Sequence, residues 1–450
     1  MTRPLIQIAL TRSRVPAILP RLLTSALLAA DPAQALRRVV RTRGAVLTIG
    51  RRRYDLRTFH RIIAVGGGKA SGRLAAALEA RLGRRLEGGL VVVKRGHGVP
   101  TRRIRLIEAG HPVPDRAGTR ATDRLRALIA GLKECDLLFV LLSGGASSLL
   151  PAPAHGLALT DKQRTTRLLL RSGAPIHEVN VVRKHLSALK GGRLVEATQA
   201  SVIGLILSDV FGDDPASIAS GPTAPDSSTY AQACRIFRRH RLWPALPSRV
   251  RRHLETGLRG KRADTPKPGH PMFRRVHNVI LGNNRLAVQA LARRGKALGL
   301  HVIVATEPLL GEARVEGRRF GALARRIAAT GTPIRRPALI VAGGEPTVTV
   351  RGPGTGGRAQ EFALAAARGI AGLPKVWIAA IGTDGTDGPT EVAGAVVDGS
   401  TVDRARRIGV DLNRALRRND SYDFFRQTGG HIVTGPTGTN VNDLYLILAL

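Results

Sequence analysis

Apolar residues in this chain come in short unbroken runs. Each run ends in a glycine-, asparagine- or aspartate-rich turn, often followed by a helical pattern. RIIAVGGGKASGRLAAALEARL (61–82) sets the type. LEGGLVVVK (86–94), DLLFVLLSGGASSLL (136–150), SVIGLILSDV (201–210), HNVILGNNRLAVQALARRG (277–295) and HVIVATEP (301–308) repeat it. The runs are rich in β-branched residues and lack polar alternation, the pattern of parallel strands covered on both faces. PALIVAGGEPTVTV (337–350) and KVWIAAIGTDGTDG (375–388) also open as strands. The Thr/Val alternation of EPTVTVRG predicts an antiparallel or edge strand. The class predicted is α/β, with a mostly parallel sheet first and a mixed sheet after it.

A Pro- and Arg-rich break at 241–271 predicts a linker or excursion between domains. At the N-terminus, apolar runs in residues 1–38 are interrupted by Arg12, Arg14, Pro16 and Arg21, which predicts one or two amphipathic helices. No apolar run reaches the length of a membrane span or signal segment, so a soluble cytoplasmic protein is expected.

At 450 residues the chain is long enough for two domains. Its two cysteines, Cys135 and Cys234, fit no metal spacing and no disulfide framework. The net charge of +39 raises nucleic acid as a partner. Two features argue against it: the arginines are scattered without a Lys-rich tail, and aromatics for base stacking are only 3%. A basic surface around an enzyme that uses anions is the alternative.

The turns after the strands carry the candidate chemistry. Gly66, Gly67 and Gly68 lead into Lys69 at a strand-to-helix turn, where open backbone and a helix N-terminus suit an anion. The turn matches neither GxGxxG nor the Walker pattern. Ser143, Gly144, Gly145 and Ser147 repeat the device, and without GxSxG spacing they do not make a nucleophile elbow. Asp209 leaves a strand end, ahead of Asp213, Asp214, Ser220 and Gly221, while the DPASIAS context of Asp213 and Asp214 reads as helix capping. Arg183, Lys184, His185 and Lys190 fall on a cationic helix expected to end at Gly191, either a solvated face or part of a cleft. Glu345 and Thr347 follow a strand, and a Gly-rich loop then delivers Arg358, Gln360 and Glu361, an arginine placed to clamp a carboxylate or phosphate. Asn440 and Asp443 are candidates for the site or for capping their own turn. GTDGTDGPTEVAGAVVD (382–398) holds Asp384 and Asp387 in a repeated TDG, either a double turn or a pair of carboxylates for a metal. Asp384, nearer the strand, is preferred for chemistry and Asp387 for capping.

Together these stretches resemble the glycerate 2-kinase family, whose C-terminal part is called the MOFRL domain. The resemblance rests on VGGGKASG, GHPVPD (110–115), LLSGGASSLLPAP, VRKHLSALKGGRL, LSDVFGDDPASIASGPTAPD, GNNRLA (282–287), GGEPTVTVRGPGTGGRAQEFAL, GTDGTDGPTEVAGAVVD and GPTGTNVNDLYL, in order over nearly the whole chain. It implies a larger Rossmann-like N-terminal domain (1–245), a connecting segment (246–330) and a smaller MOFRL-type domain (331–450), with the site between the two domains. It implies phosphorylation of D-glycerate at its 2-hydroxyl by ATP with Mg²⁺ or another divalent cation. The family's proposed catalytic pair falls on Lys69 and Arg358. Substrate and nucleotide contacts are expected from the glycine and serine loops, Asp209, Ser220, Gly221, Asn283, Glu345, Thr347, Gln360 and Asn440, and metal contacts from Asp384 and Asp387. Ala146, Ser148 and Phe211 depart from the family's usual pattern. Members are often labelled hydroxypyruvate reductases. Against that activity here, no GxGxxG is followed by an acidic residue about 20 positions on. The expected partners are D-glycerate and ATP, without a membrane; a homodimer stays open.

Overall fold

A computed structural model describes residues 9–10 and 15–450. The first part of the expected amphipathic N-terminus therefore lies outside the described residues. The remainder forms helix α1 (Ile18–Ala29) and a second helix, Pro32–Val39. Two compact units result, one of residues 35–281 and one that joins 1–34 to 282–450. The boundaries expected at 245 and 330 each fall inside a unit. The expected linker is built into the first unit: helix Ser248–Leu258 buries Val250 and Leu254 against Phe237 and Tyr230.

In the unit of residues 35–281 a six-stranded sheet carries the site loops. Its strands are β1 (Ile62–Gly67), β2 (Gly88–Lys94), β3 (Ile104–Ala109), β4 (Leu137–Leu142), β5 (Ser201–Leu207) and β6 (Val276–Gly282), in the order β6-β5-β4-β1-β2-β3. The pairings β5–β4, β4–β1, β1–β2 and β2–β3 are parallel. Alternate residues face two cores, Ala64, Phe139 and Leu205 on one side and Val65, Val140 and Ile206 on the other. That two-sided burial is why the strands read as unbroken apolar runs. Helix α2 (Ser71–Leu82) follows β1.

The other unit has a mixed sheet. Strands β7 (His301–Val304), β8 (Ala338–Gly344), β9 (Val376–Gly382), β10 (Gly394–Asp398), β11 (His431–Val433) and β12 (Asp443–Ala449) lie in the order β11-β10-β9-β12-β8-β7, and the two-residue strand Ala9–Leu10 pairs with β11. Strand β12 runs antiparallel between β8 and β9. Leu339, Val341, Ile381 and Leu446 pack against α1 and helix Asn284–Ala297, while Ile340, Ile378 and Ile447 pack against helix α3 (Arg358–Ala367) and its neighbours.

One strand expectation fails. EPTVTVRG is no strand; it makes a single bridge, Thr347 to Glu312. The Glu312 carboxylate takes Thr349 N–H and Oγ1, and Asn419 Oδ1 takes the N–H groups of Arg351 and Gly352. Side chains satisfy this backbone in place of a ladder.

No helix among the described residues is long and apolar enough to cross a membrane.

Candidate active site

In residues 35–281 the site begins where the neighbouring strands β1 and β4 end. Gly68 sits at φ +142°, and a Cβ there would lie 2.1 Å from Ser143 Oγ. Only glycine permits that approach. The contact staples the two loops together. Lys69 N–H donates to Gly144 O (2.8 Å), Ala70 N–H donates to Ser143 Oγ (3.0 Å), and Ser71 Oγ lies 3.0 Å from the same oxygen. Ser143 is therefore buried as a loop fastener, while the half-buried Lys69 projects beside Gly145. Ser147 Oγ lies 3.0 Å from Ser220 Oγ, which donates to Asn180 Oδ1 (3.1 Å). Ala219, Ser220 and Gly221 are all left-handed, with φ between +55° and +66°. Two of them are not glycine, so the loop is held in a strained form. Its holding bonds are Gly191 N–H to Ser220 O (3.0 Å) and Gly192 N–H to Gly221 O (2.7 Å). Asp209 stands half-buried just past β5. Asp214 caps its own turn, accepting from Ala216 N–H and Ser217 Oγ.

The cationic helix differs from its expectation. It ends at His185, and its charges turn inward. Lys184 Nζ meets Asp226 Oδ1 at 3.1 Å, His185 Nε2 meets Asp264 at 2.8 Å, and Lys190 Nζ donates to Leu150 O at 2.9 Å. Burial, aided by the charge of Arg183, pushes the Lys190 ammonium down to about 7. Nearby Lys162 is buried on the carbonyls of Pro151 and Ala152.

In the unit containing residues 282–450, register assembles a second cluster of candidate residues. Asp443 opens β12 and lies opposite Gly344 of β8 and Gly382 of β9. It therefore stands beside the residues that follow those strands, Glu345 on one side and the TDG repeat on the other. Arg358, first residue of α3, donates through Nε and Nη2 to the two Asp443 oxygens (2.5 and 3.1 Å) and through Nη1 to Glu345 Oε1 (2.9 Å). Tyr445 Oη donates to Asp443 Oδ2 at 2.9 Å. Burial pushes the Asp443 carboxyl up to about 7, against the pull of Arg358 and helped by the charge of Asp387. Burial works against the Arg358 cation, but Asp443 outweighs it and holds the guanidinium above its ordinary value. The sequence left Asp443 undecided beside Asn440, which lies half-buried in the preceding loop. An acid as first residue of an otherwise apolar buried strand was the available signal.

Asp387 is a helix cap. Its oxygens accept from Ala359 N–H (3.0 Å), Gln360 N–H (2.8 Å) and Gln360 Nε2 (3.0 Å). A Cβ on Gly357 would lie 2.2 Å from this carboxyl, so glycine is required where the acid meets the helix. The N-terminus of α3 is thus neutralised from within. Asp384 is half-buried and takes Thr386 N–H and Oγ1 on one oxygen. Asn283 caps its own helix through Leu286 N–H, and Thr347 fastens to Gly311 O. Among the described residues no group of three or more His, Cys, Asp or Glu is placed to hold a metal ion. The donors therefore do not fit a resident metal cage, although one carboxylate suffices for an ion that arrives on phosphates.

Comparison with known proteins places the chain in a family. A family model described as a domain of unknown function (DUF4147) matches residues 18–255, and the MOFRL family model matches residues 338–443. Glycerate 2-kinase of Pyrococcus horikoshii is 40% identical over 429 residues, covering 95% of this chain and 96% of that protein. A protein of Agrobacterium vitis named as a hydroxypyruvate reductase is 42% identical, covering 86% and 87%. The crystal structure of a glycerate kinase from Thermotoga maritima superposes with a TM-score of 0.84 at 37% identity, covering 96% of this chain and 99% of that one. With relatives named as glycerate kinases matching it over nearly its whole length, the chain is an enzyme and belongs to the MOFRL-domain glycerate kinase family.

Proposed function

We propose that the enzyme transfers the γ-phosphoryl group of ATP to the 2-hydroxyl of D-glycerate. The glycerate oxygen forms the new P–O bond, the bond to the bridging oxygen of ADP breaks, and the hydroxyl proton leaves. Such transfer needs positioned cations and alignment more than covalent help. Two cations supply this, and their settings are the observation that carries the reading. Lys69 stands on a loop stapled to Ser143 and Gly144. Arg358 is aimed by Asp443 and Glu345, and a third of its side chain stays exposed. Lys69 offsets charge on the transferring phosphoryl group, and Arg358 takes an oxyanion of the phosphate or of the glycerate carboxylate. A divalent ion would come with the nucleotide and offset charge on its phosphates, with Asp384 as the carboxylate to meet it; Asp387 is committed to capping.

The test is a product assay with D-glycerate, ATP and Mg²⁺. ADP together with 2-phosphoglycerate is expected. 3-Phosphoglycerate would overturn the assignment of the 2-hydroxyl. Loss of NADH absorbance with hydroxypyruvate, without ADP formation from glycerate, would establish the reductase activity instead.

A further inference from the structure

A cavity of about 280 Å³ within residues 35–281 has no part in the proposed chemistry. Arg126, Arg193, Arg262, His155, Tyr230 and His253 line it. Each of the three arginines has a buried Nε with no hydrogen-bond partner. Arg193 spends its Nη1 and Nη2 on Glu196 (3.5 Å) and Ala263 O (3.2 Å). Glu196 is the only acid on the wall, and its side chain is 47% exposed. His253 is 5% exposed, and its Nε2–H donates to His185 O at 2.8 Å. Burial, with the charges of Arg262 and Arg193 adding to it, pushes this imidazole down to about 4, so the ring is neutral and Nδ1 is an acceptor. That Nδ1 is also buried without a partner.

Three guanidinium groups facing one acid call for negative charge. Arginine's fixed fork suits phosphate oxygens. We propose that this cavity is a second anion site, which takes a small phosphate-bearing anion. Ser187 and Ala188, also on its wall, belong to the turn whose Gly191 N–H holds Ser220 O, so the site shares a segment with the strained loop of the candidate active site.

Inorganic pyrophosphate, partly protonated at neutral pH, serves as the probe. It is titrated calorimetrically into the full chain carrying Lys69→Ala, which weakens phosphate binding at the candidate active site. One pyrophosphate per chain is expected, with Kd raised at least tenfold by Arg126→Gln or Arg262→Gln in that background and melting temperatures nearly unchanged. No binding, or binding in both arginine variants as tight as in the Lys69→Ala parent, would show a cavity that holds water only and would overturn the proposal. Should either variant fail to fold, crystals of the Lys69→Ala chain soaked in pyrophosphate decide: density between the three guanidinium groups supports the site, and its absence there overturns it.

Discussion

The role proposed for Arg358 depends on Asp443 holding it, and the acid carries the more informative titration. Its carboxyl is pushed up to about 7, first by burial and then by Asp387, with Arg358 opposing. Below that pH the acid is neutral and the clamp on Arg358 loses its ionic half. Above it the carboxylate forms and the guanidinium is fixed. We expect kcat to rise as pH increases through about 7, and Asp443→Asn, permanently neutral, to lower kcat and flatten that limb. A pH–rate profile of the variant that keeps the wild-type limb would remove Asp443 from this role. Lys69→Ala and Arg358→Ala should each lower kcat by more than tenfold, about 1.4 kcal/mol of barrier; a smaller loss in single-turnover rates would sink the assigned roles. Lys69 and Arg358 stand out in the sequence as candidates because glycine turns isolate them. Asp443 was not separable from Asn440, since the choice depends on the register that sets Asp443 opposite both Gly344 and Gly382.

Helix α3 is the element that presents Arg358, and its start depends on an acid 29 residues downstream. Asp387 satisfies Ala359 N–H, Gln360 N–H and the Gln360 side chain, all buried. Asp387→Ala should cost about 2–4 kcal/mol, because three donors lose one charged acceptor. Asp384→Asn should leave the midpoint of chemical denaturation nearly unchanged and raise the Mg²⁺ concentration needed for half-maximal activity several-fold. An unchanged Mg²⁺ dependence in Asp384→Asn would return the TDG repeat to a pair of turns. Elements that bury two apolar faces were readable from the chain alone, because burial on both sides erases polar alternation: β1, β4, β5, β8 and β9 fall where the runs predicted them. Elements decided by distant side chains were not. EPTVTVRG has strand-like alternation, yet Glu312 and Asn419 take its backbone N–H groups. Lys184 and His185 look like a solvated face until Asp226 and Asp264, about 40 and 80 residues on, turn them inward.

For the whole molecule, the net charge of +39 sets up a field that anionic reactants meet. Both proposed substrates are anions, ATP carrying several charges and glycerate one. A positive surface potential raises their encounter rate, and salt screens that potential: the Debye length falls from about 10 Å at 0.1 M to about 3 Å at 1 M. Interactions inside the site, such as the buried contact of Arg358 with Asp443, are screened much less. The two effects separate kinetically. Raising NaCl from about 0.05 to 0.5 M should lower kcat/KM for ATP several-fold while kcat changes by less than twofold. The dependence should be steeper for ATP than for glycerate, because the attraction scales with the charge of the reactant. A flat kcat/KM in that salt series would show that the excess arginine has no part in capturing substrate. Salt-sensitive binding of duplex DNA in the same range would then make nucleic acid the partner that the charge serves.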